Sequence, residues 1–171
     1  MYYGRRQLIL TAGAAILAGG LLHFLYAWLP NGATALLSPV NESLWEHGKL
    51  LFWPYLAAAL WLNRGRPGGI RPWLLTLLGM VGAMLALGYV YHVLLRGDSL
   101  WLDLALYAGL MALGFVLPAR SSGPFRGRGW LMVIALTWVL AGLLFWFTLH
   151  PPQGALFTDL SAPPAQELQG E

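Results

Sequence analysis

Five apolar stretches, each long enough to cross a lipid bilayer, dominate this chain of 171 residues. A helix needs about 20 apolar residues to cross a hydrocarbon core about 30 Å thick. The stretches cover residues 7–29, 44–62, 73–95, 99–117 and 130–149. Only 10% of the residues are charged, whereas a soluble domain carries about 25%. We therefore predict an all-α fold, a bundle of five transmembrane helices in the cell membrane.

The basic residues indicate how this bundle is oriented. Eight of the ten Lys and Arg residues belong to one side of the predicted bundle: they lie before the first stretch, between the second and third stretches, or between the fourth and fifth. Only Lys49 and Arg96 lie on the other side. The positive-inside rule then places the amino terminus in the cytoplasm and the carboxyl terminus outside. Because these charges occupy short loops, we expect the lipid bilayer as a partner and no nucleic acid.

We expect one transmembrane domain over residues 1–150 and an external tail over residues 151–171. The first part of the tail, which includes GALF, is apolar enough to fold back on the outer surface of the bundle. The last dozen residues have the composition of a disordered segment.

The densest polar cluster of the chain, SPVNESLWEHGK at residues 38–49, directly precedes the second apolar stretch. Ser38 is a suitable N-cap and Pro39 a suitable first helical residue, so we predict that the second helix begins at residue 38 or 39. Only residues 50–62 are then continuously apolar, and they span about 20 Å of helix, less than a full hydrocarbon core. The polar start of this helix is thus predicted to lie within hydrocarbon depth.

Glu46 and His47 are the residues that this depth affects most. A carboxylate at that depth costs about 2.5 kcal/mol or more and needs a partner or a water-filled pocket. On a helix that begins at residue 38, Glu42 and Glu46 share a face, and Lys49 can join them and neutralise Glu46.

His23 is predicted to face the bundle interior. Thr11, Ala15 and Gly19 repeat at four-residue spacing, and small residues at this spacing let transmembrane helices approach closely. Four further residues lead to His23, which therefore lies on the packed face.

The other ionisable residues of the predicted outer leaflet lie at the same level. His92 is one turn inside the outer end of the third helix, with Tyr89 and Arg96 on its face, Asp103 is one turn inside the fourth helix, and His150 closes the fifth. We predict that these residues, together with Glu42, Glu46 and His47, line one outward-facing pocket. Its further members are Asn41, Ser43, Trp45, Lys49, His23, Tyr89 and Arg96.

The favoured functional hypothesis is a metal-dependent membrane hydrolase or transferase. His47, His92 and His150, with Glu46 or Asp103, would suit Zn²⁺, which in catalytic sites takes three protein ligands and leaves a position open for water. A remaining carboxylate among Glu42, Glu46 and Asp103 would be the general base. The ligand would be a lipid-linked or small molecule that enters from the outer leaflet.

Two other classes of function remain open. Histidine and carboxylate side chains also form proton relays, so the protein could transport protons, ions or a small solute. It could also be a membrane assembly or binding protein without catalysis, with its nine tryptophans as interfacial anchors.

The segment SPVNESLWEHGKLLFWP resembles the signature of an uncharacterised family of small bacterial and archaeal integral membrane proteins, which reads Ser-Pro-Val-Asn-Glu-Ser-x-Trp-Glu-His followed by Lys and an apolar run ending in Phe-x-Pro. The matching positions are Ser38, Pro39, Val40, Asn41, Glu42, Ser43, Trp45, Glu46, His47, Lys49 and Pro54. Residues 150–159 are similar to a Pro-Pro-x-x-x-Leu-Phe-x-Asp stretch after the last helix of these proteins. The resemblance implies a five-helix membrane fold and a functional role for both segments, and it implies no particular activity.

Overall fold

The computed structural model describes residues 2–66, 68–121 and 125–161. These residues form six α-helices and one π-helical segment, and none of them forms a β-strand. In chain order the elements are α1 (Arg5–Trp28), α2 (Gly32–Leu37), α3 (Leu44–Leu62), α4 (Arg71–Gly88), the π-helical segment (Tyr89–Leu94), α5 (Leu100–Arg120) and α6 (Gly129–Leu149).

Among the described residues, four helices are long and apolar enough to cross a membrane: α1, α4 with the π-helical segment, α5 and α6. They coincide with four of the five predicted stretches, which confirms an all-helical fold with four helices able to cross a membrane. The fifth stretch is α3, which carries Glu46, His47 and Lys49 in its first two turns and is not among the four.

Helix α3 lies at the centre of the bundle. Thirteen of its nineteen residues are buried, and Leu51, Phe52, Tyr55 and Ala59 are completely inaccessible. Helix α1, by contrast, buries only Ala15 and Gly19. Because α1, α4, α5 and α6 all contact α3, the bundle covers the helix that carries Glu46 and Lys49 in its first two turns.

The predicted start of this helix is wrong. Helix α3 begins at Leu44, where the Ser43 hydroxyl caps it by accepting the Glu46 amide at 3.4 Å. Residues 38–43 form a non-helical connector. Glu42 therefore lies outside the helix, and the predicted helical face shared by Glu42 and Glu46 does not form.

The physical reason lies in the contacts of Ser38. Its hydroxyl donates to the Leu22 carbonyl of α1 at 2.5 Å and accepts the Tyr26 amide at 3.1 Å. Ser38 is completely buried and ties the connector to α1 instead of capping α3.

The short helix α2 was not predicted. It begins with a capping box, in which the Asn31 side chain accepts the Ala33 and Thr34 amides at 3.0 and 3.1 Å and the Thr34 hydroxyl accepts the Asn31 amide at 3.2 Å. An Asn three residues before a Thr is a recognisable signal for a helix start.

The chain after α6 folds back on the bundle, as expected for the first part of the tail. The Leu156 carbonyl accepts the Trp45 amide at 2.9 Å. The Phe157 ring lies 5.2 Å from the Trp45 ring and 5.3 Å from the Phe147 ring. The predicted disorder of the last dozen residues falls mostly on residues 162–171, which lie outside the described residues.

The bundle has two chemically different ends. The end where α1 and α6 finish and α3 and α5 begin is here called the cluster end, and it includes α2, the connector and residues 151–161. The opposite end is called the arginine end. Its arginines are Arg5, Arg6, Arg64, Arg66, Arg71, Arg120, Arg126 and Arg128.

Candidate metal centre

Three side chains from different elements meet beside the start of α3. His23 of α1 places Nε2 3.8 Å from Glu42 Oε1, and His47 of α3 places Nε2 3.2 Å from Glu42 Oε2. One ligand atom from each residue lies within 4.8 Å of the other two, and among the described residues no other three His, Asp or Glu side chains meet this closely. We call His23, Glu42 and His47 the His–Glu cluster. The predicted inward orientation of His23 is confirmed.

The backbone orients the His47 ring. His47 Nδ1 lies 2.8 Å from the Ser43 carbonyl oxygen, an acceptor, so Nδ1 must carry a proton. In the neutral ring, Nε2 then directs a lone pair at the Glu42 carboxylate. Either a second proton or a cation must lie between these two acceptors. Metal-binding histidines are commonly fixed in this way, by donation from the other ring nitrogen to a carbonyl oxygen.

The His–Glu cluster is open to the surroundings on one side. The side chains of His23, His47 and Glu42 are 30%, 24% and 46% exposed. The hydrogen bond with His47 lowers the pKa of Glu42 below its ordinary value, despite partial burial that acts in the opposite direction. An anionic Glu42 between two imidazoles is a donor set that suits Zn²⁺.

Asp159 adds a second carboxylate beside the cluster, and it is not among the site residues predicted from sequence. It lies in the segment that folds back after α6, next to the backbone of Glu42, and its charge acts on both Glu42 and His47. Hydrogen bonds from Ser161 lower the pKa of Asp159. The sequence feature that could have identified Asp159 is the resemblance of residues 150–159 to the family stretch that ends in Asp.

Glu46 and Lys49 form a separate, buried ion pair. Lys49 Nζ lies 2.6 Å from Glu46 Oε2 and also donates to the carbonyl oxygens of Ala35 and Ser38, at 2.7 and 3.2 Å. The Lys49 side chain is 0% exposed and that of Glu46 is 4% exposed. The predicted neutralisation of Glu46 by Lys49 is therefore present.

Both oxygens of Glu46 have further partners. The Val40 amide donates to Oε2 at 3.0 Å, and the Thr148 hydroxyl of α6 lies 3.0 Å from Oε1. Glu46 thus joins the connector, α3 and α6. These contacts favour a structural role for Glu46 over the predicted role as a catalytic base.

His92 and Asp103 form a third group. His92 Nε2 lies 2.9 Å from Asp103 Oδ1, and His92 Nδ1 lies 3.0 Å from the Gly97 carbonyl oxygen. Acceptor atoms thus face both ring nitrogens, and these two contacts fix the orientation of the His92 ring. Asp103 is near enough for its charge to act on His47, but the structure does not place His92 or Asp103 in the His–Glu cluster.

The remaining predicted pocket residues are more scattered. His150 is exposed at the end of α6, where its ring stacks on Trp146 at 4.5 Å, and it is not part of the cluster. Tyr89 and Arg96 are exposed, and Arg96 lies beyond the π-helical segment with a φ of 53°.

Asn41 and Trp45 have local contacts. The Asn41 side chain accepts the Ser43 amide at 3.1 Å and so shapes the connector. Trp45 is buried, 5.3 Å from the Phe147 ring and 5.2 Å from the Phe157 ring.

The fold and the site together define an all-helical membrane protein with a histidine and carboxylate cluster at one end of the bundle. The sequence model of a family of unknown function, DUF6512, matches residues 3–163, and the chain belongs to this family. This agrees with the resemblance to an uncharacterised family. No curated protein and no solved structure is significantly similar to the chain.

Proposed function

We propose that this protein binds Zn²⁺ in the His–Glu cluster and uses it to hydrolyse or transfer a group of a lipid-linked or small substrate. The observation that carries the proposal is the approach of His23 Nε2, a Glu42 oxygen and His47 Nε2 to within 4.8 Å of one another. Tetrahedral Zn²⁺ with bonds of about 2.0–2.1 Å holds its ligand atoms about 3.3 Å apart. Small rotations of the side chains would therefore close the site around the ion.

The proposed ligand set differs from the set predicted from sequence. His47 is retained, while His23 and Glu42 replace His92 and His150. Two histidines and one glutamate are an established ligand set for catalytic zinc, which leaves the fourth position for water. Burial of the cluster is only partial, which supports access for a substrate.

The proposed topology has α3 as a fifth membrane helix, enclosed by the other four, with the arginine end in the cytoplasm. The concentration of arginines at one end supports this orientation. The His–Glu cluster would then face outward at the level of the lipid headgroups, where the scissile bond of a lipid-linked substrate lies.

His23, Glu42 and His47 would hold the ion, and a bound Zn²⁺ would supply a water acidic enough to act as a nucleophile at neutral pH. Asp159 is the proposed general base, because it lies beside the cluster and is not itself one of the three ligands. It would accept the proton from the water during attack on an ester or phosphoester and return it to the leaving oxygen.

Metal analysis of the purified protein tests the first half of the proposal. The full chain, purified in mild detergent and dialysed after exposure to Zn²⁺, should contain about one zinc ion per chain. His47→Ala and Glu42→Gln should reduce the zinc content to background. His150→Ala and His92→Ala are matched controls and should keep it. Absence of zinc from the wild type, or equal loss in the His150 variant, would refute the ligand set.

Catalysis is tested separately. Zinc-loaded protein should hydrolyse a chromogenic ester or phosphodiester, and a chelator should stop the reaction. Asp159→Asn should keep the zinc and lower the rate by about 10²-fold or more, the usual contribution of a general base. Stoichiometric zinc with no hydrolysis of either substrate class would retain the metal site and reject the hydrolase.

A further inference from the structure

A cavity of about 540 Å³ lies at the arginine end, at the opposite end of the bundle from the His–Glu cluster. It is bounded by the residues before α1, the connection from α3 to α4 and the connection from α5 to α6. Its charged lining residues are Arg66, Arg71 and Arg126, and its aromatic lining includes Tyr2, Tyr3 and Phe125.

No carboxylate neutralises these three arginines in the part of the chain that the structure describes. None of the ion pairs there includes an arginine. The sequence contains no Asp or Glu before residue 42, between residues 47 and 97 or between residues 104 and 158. The acidic residues of the described chain thus all belong to the cluster end, and the cavity has an uncompensated positive charge.

Arg71 lacks an acceptor for part of its guanidinium group. Its Nη1 donates to the Phe125 carbonyl oxygen, which holds the side chain at the cavity wall. Its Nε is buried and has no hydrogen-bond partner among the described residues. A buried donor without an acceptor is unfavourable. Because Nε has almost no accessible surface, a ligand in the cavity gains from this donor only when the Arg71 side chain turns toward it.

Arg66 is also held in place. Its Nη1 donates to the Tyr2 carbonyl oxygen at 3.0 Å, and its guanidinium carbon lies 5.6 and 5.4 Å from the ring centres of Tyr2 and Tyr3. One of its five N–H donors is used in this contact. Arg126 also lines the cavity and is exposed.

We propose that this cavity binds a phosphate group, carried either by an anionic phospholipid or by a water-soluble phosphate ester. Arginine forms paired, charge-assisted hydrogen bonds with phosphate oxygens. Helix α4 begins at Arg71, and the positive end of its dipole adds to the attraction. The predicted cytoplasmic leaflet, with its anionic lipids, meets the bundle at this level. The proposal is independent of zinc binding at the cluster end.

The test compares two charge-matched double variants of the full chain. Arg66→Gln/Arg126→Gln removes two cavity arginines, and Arg64→Gln/Arg128→Gln removes two arginines from the same loops that do not line the cavity. Native mass spectrometry in detergent micelles measures binding of dioleoyl phosphatidylglycerol and of dioleoyl phosphatidylcholine. The wild type should bind phosphatidylglycerol roughly tenfold more tightly, the cavity variant should lose this preference, and the control variant should change by less than about twofold.

Inorganic phosphate and glycerol 3-phosphate, added as competitors, identify the source of the phosphate. Competition at micromolar concentration by either compound would support a soluble phosphate ester, and phosphatidylglycerol binding without competition would support a lipid. Equal loss of binding in both double variants would overturn the proposal, because it would show diffuse attraction to net charge. Binding of none of the four probes would also overturn it. If the double variant does not give helical, monodisperse protein, the single variant Arg126→Gln takes its place, because Arg126 is exposed. Its control is then Arg128→Gln.

Discussion

The two ends of the bundle bury polar side chains in different ways. At the arginine end, Tyr3, Asn63 and Trp73 form a buried group of neutral side chains. The Tyr3 hydroxyl donates to Asn63 Oδ1 at 2.7 Å and accepts the Trp73 indole N–H at 3.0 Å, while Asn63 Nδ2 donates to the Ala59 carbonyl at 2.8 Å. Each member of this group has a hydrogen-bond partner, and none of the three side chains carries a formal charge.

At the cluster end the buried polar side chains include a charged pair. Lys49 and Glu46 are both removed from solvent, and burial of an ion pair has a desolvation cost that the attraction between its members often fails to exceed. The pair is therefore a poor device for stability alone. Its contacts with Ala35, Ser38 and Val40 instead fix the connector. That connector carries Glu42, so the buried ion pair holds a member of the His–Glu cluster in position.

The largest expected effect is that of Lys49→Met, which would leave Glu46 buried without its cation. Removal of one member of a buried ion pair costs about 3–5 kcal/mol. We expect a loss of this size in the free energy of unfolding, measured by titration with sodium dodecyl sulfate and tryptophan fluorescence. Zinc content should fall as well if the connector positions Glu42.

The double variant Lys49→Met/Glu46→Gln separates the lost charge pair from lost packing. It removes both charges, while the side-chain carbonyl of the introduced glutamine can still accept the Val40 amide, so we expect at least half of the stability to return. The single variants Lys49→Met and Glu46→Gln complete the comparison. If the loss of stability in the double variant equals the sum of the losses in the two single variants, the charges do not interact, since residues that interact deviate from additivity by about 0.5–3 kcal/mol.

At the arginine end, Tyr3→Phe is expected to have a smaller effect. It removes one hydroxyl and leaves Asn63 Oδ1 and the Trp73 indole N–H without a partner, which costs about 1–3 kcal/mol for buried groups. The same detergent titration measures it. Tyr2→Phe is the control, because Tyr2 is exposed, and it should change stability by less than about 0.5 kcal/mol. Equal effects of the two variants would contradict the role assigned to the neutral group.

The sequence predicts the long helices well because their signals are strong and local. Helix α6 covers Gly129–Leu149 against a predicted stretch of 130–149. The small-residue stripe through Ala15 and Gly19 also places His23 correctly, since both residues are buried on the face that meets α3 and α5.

The site itself depends on contacts that no local pattern contains. Ser38 followed by Pro39 has the local signature of a helix start, but the hydroxyl of Ser38 binds α1 instead. The π-helical segment, in which the Leu95 amide donates to the Val90 carbonyl five residues back, changes the direction of His92 relative to an α-helix. Asp159 reaches the cluster only because the chain folds back over Trp45.

The smallest expected effect is that of Asp103→Asn, which tests whether the third contact group belongs to the metal centre. The Asp103 side chain is 40% exposed, so its ion pair with His92 should contribute about 1 kcal/mol or less. The introduced amide can still accept a hydrogen bond from His92, which reduces the loss further. Asp98→Asn, at an exposed position in the loop that precedes α5, is the control. Zinc content should stay at the wild-type level in both variants, because the three donor atoms of the His–Glu cluster are untouched. A loss of zinc confined to the Asp103 variant would move His92 and Asp103 into the metal centre and would make the cluster end one site instead of three neighbouring groups.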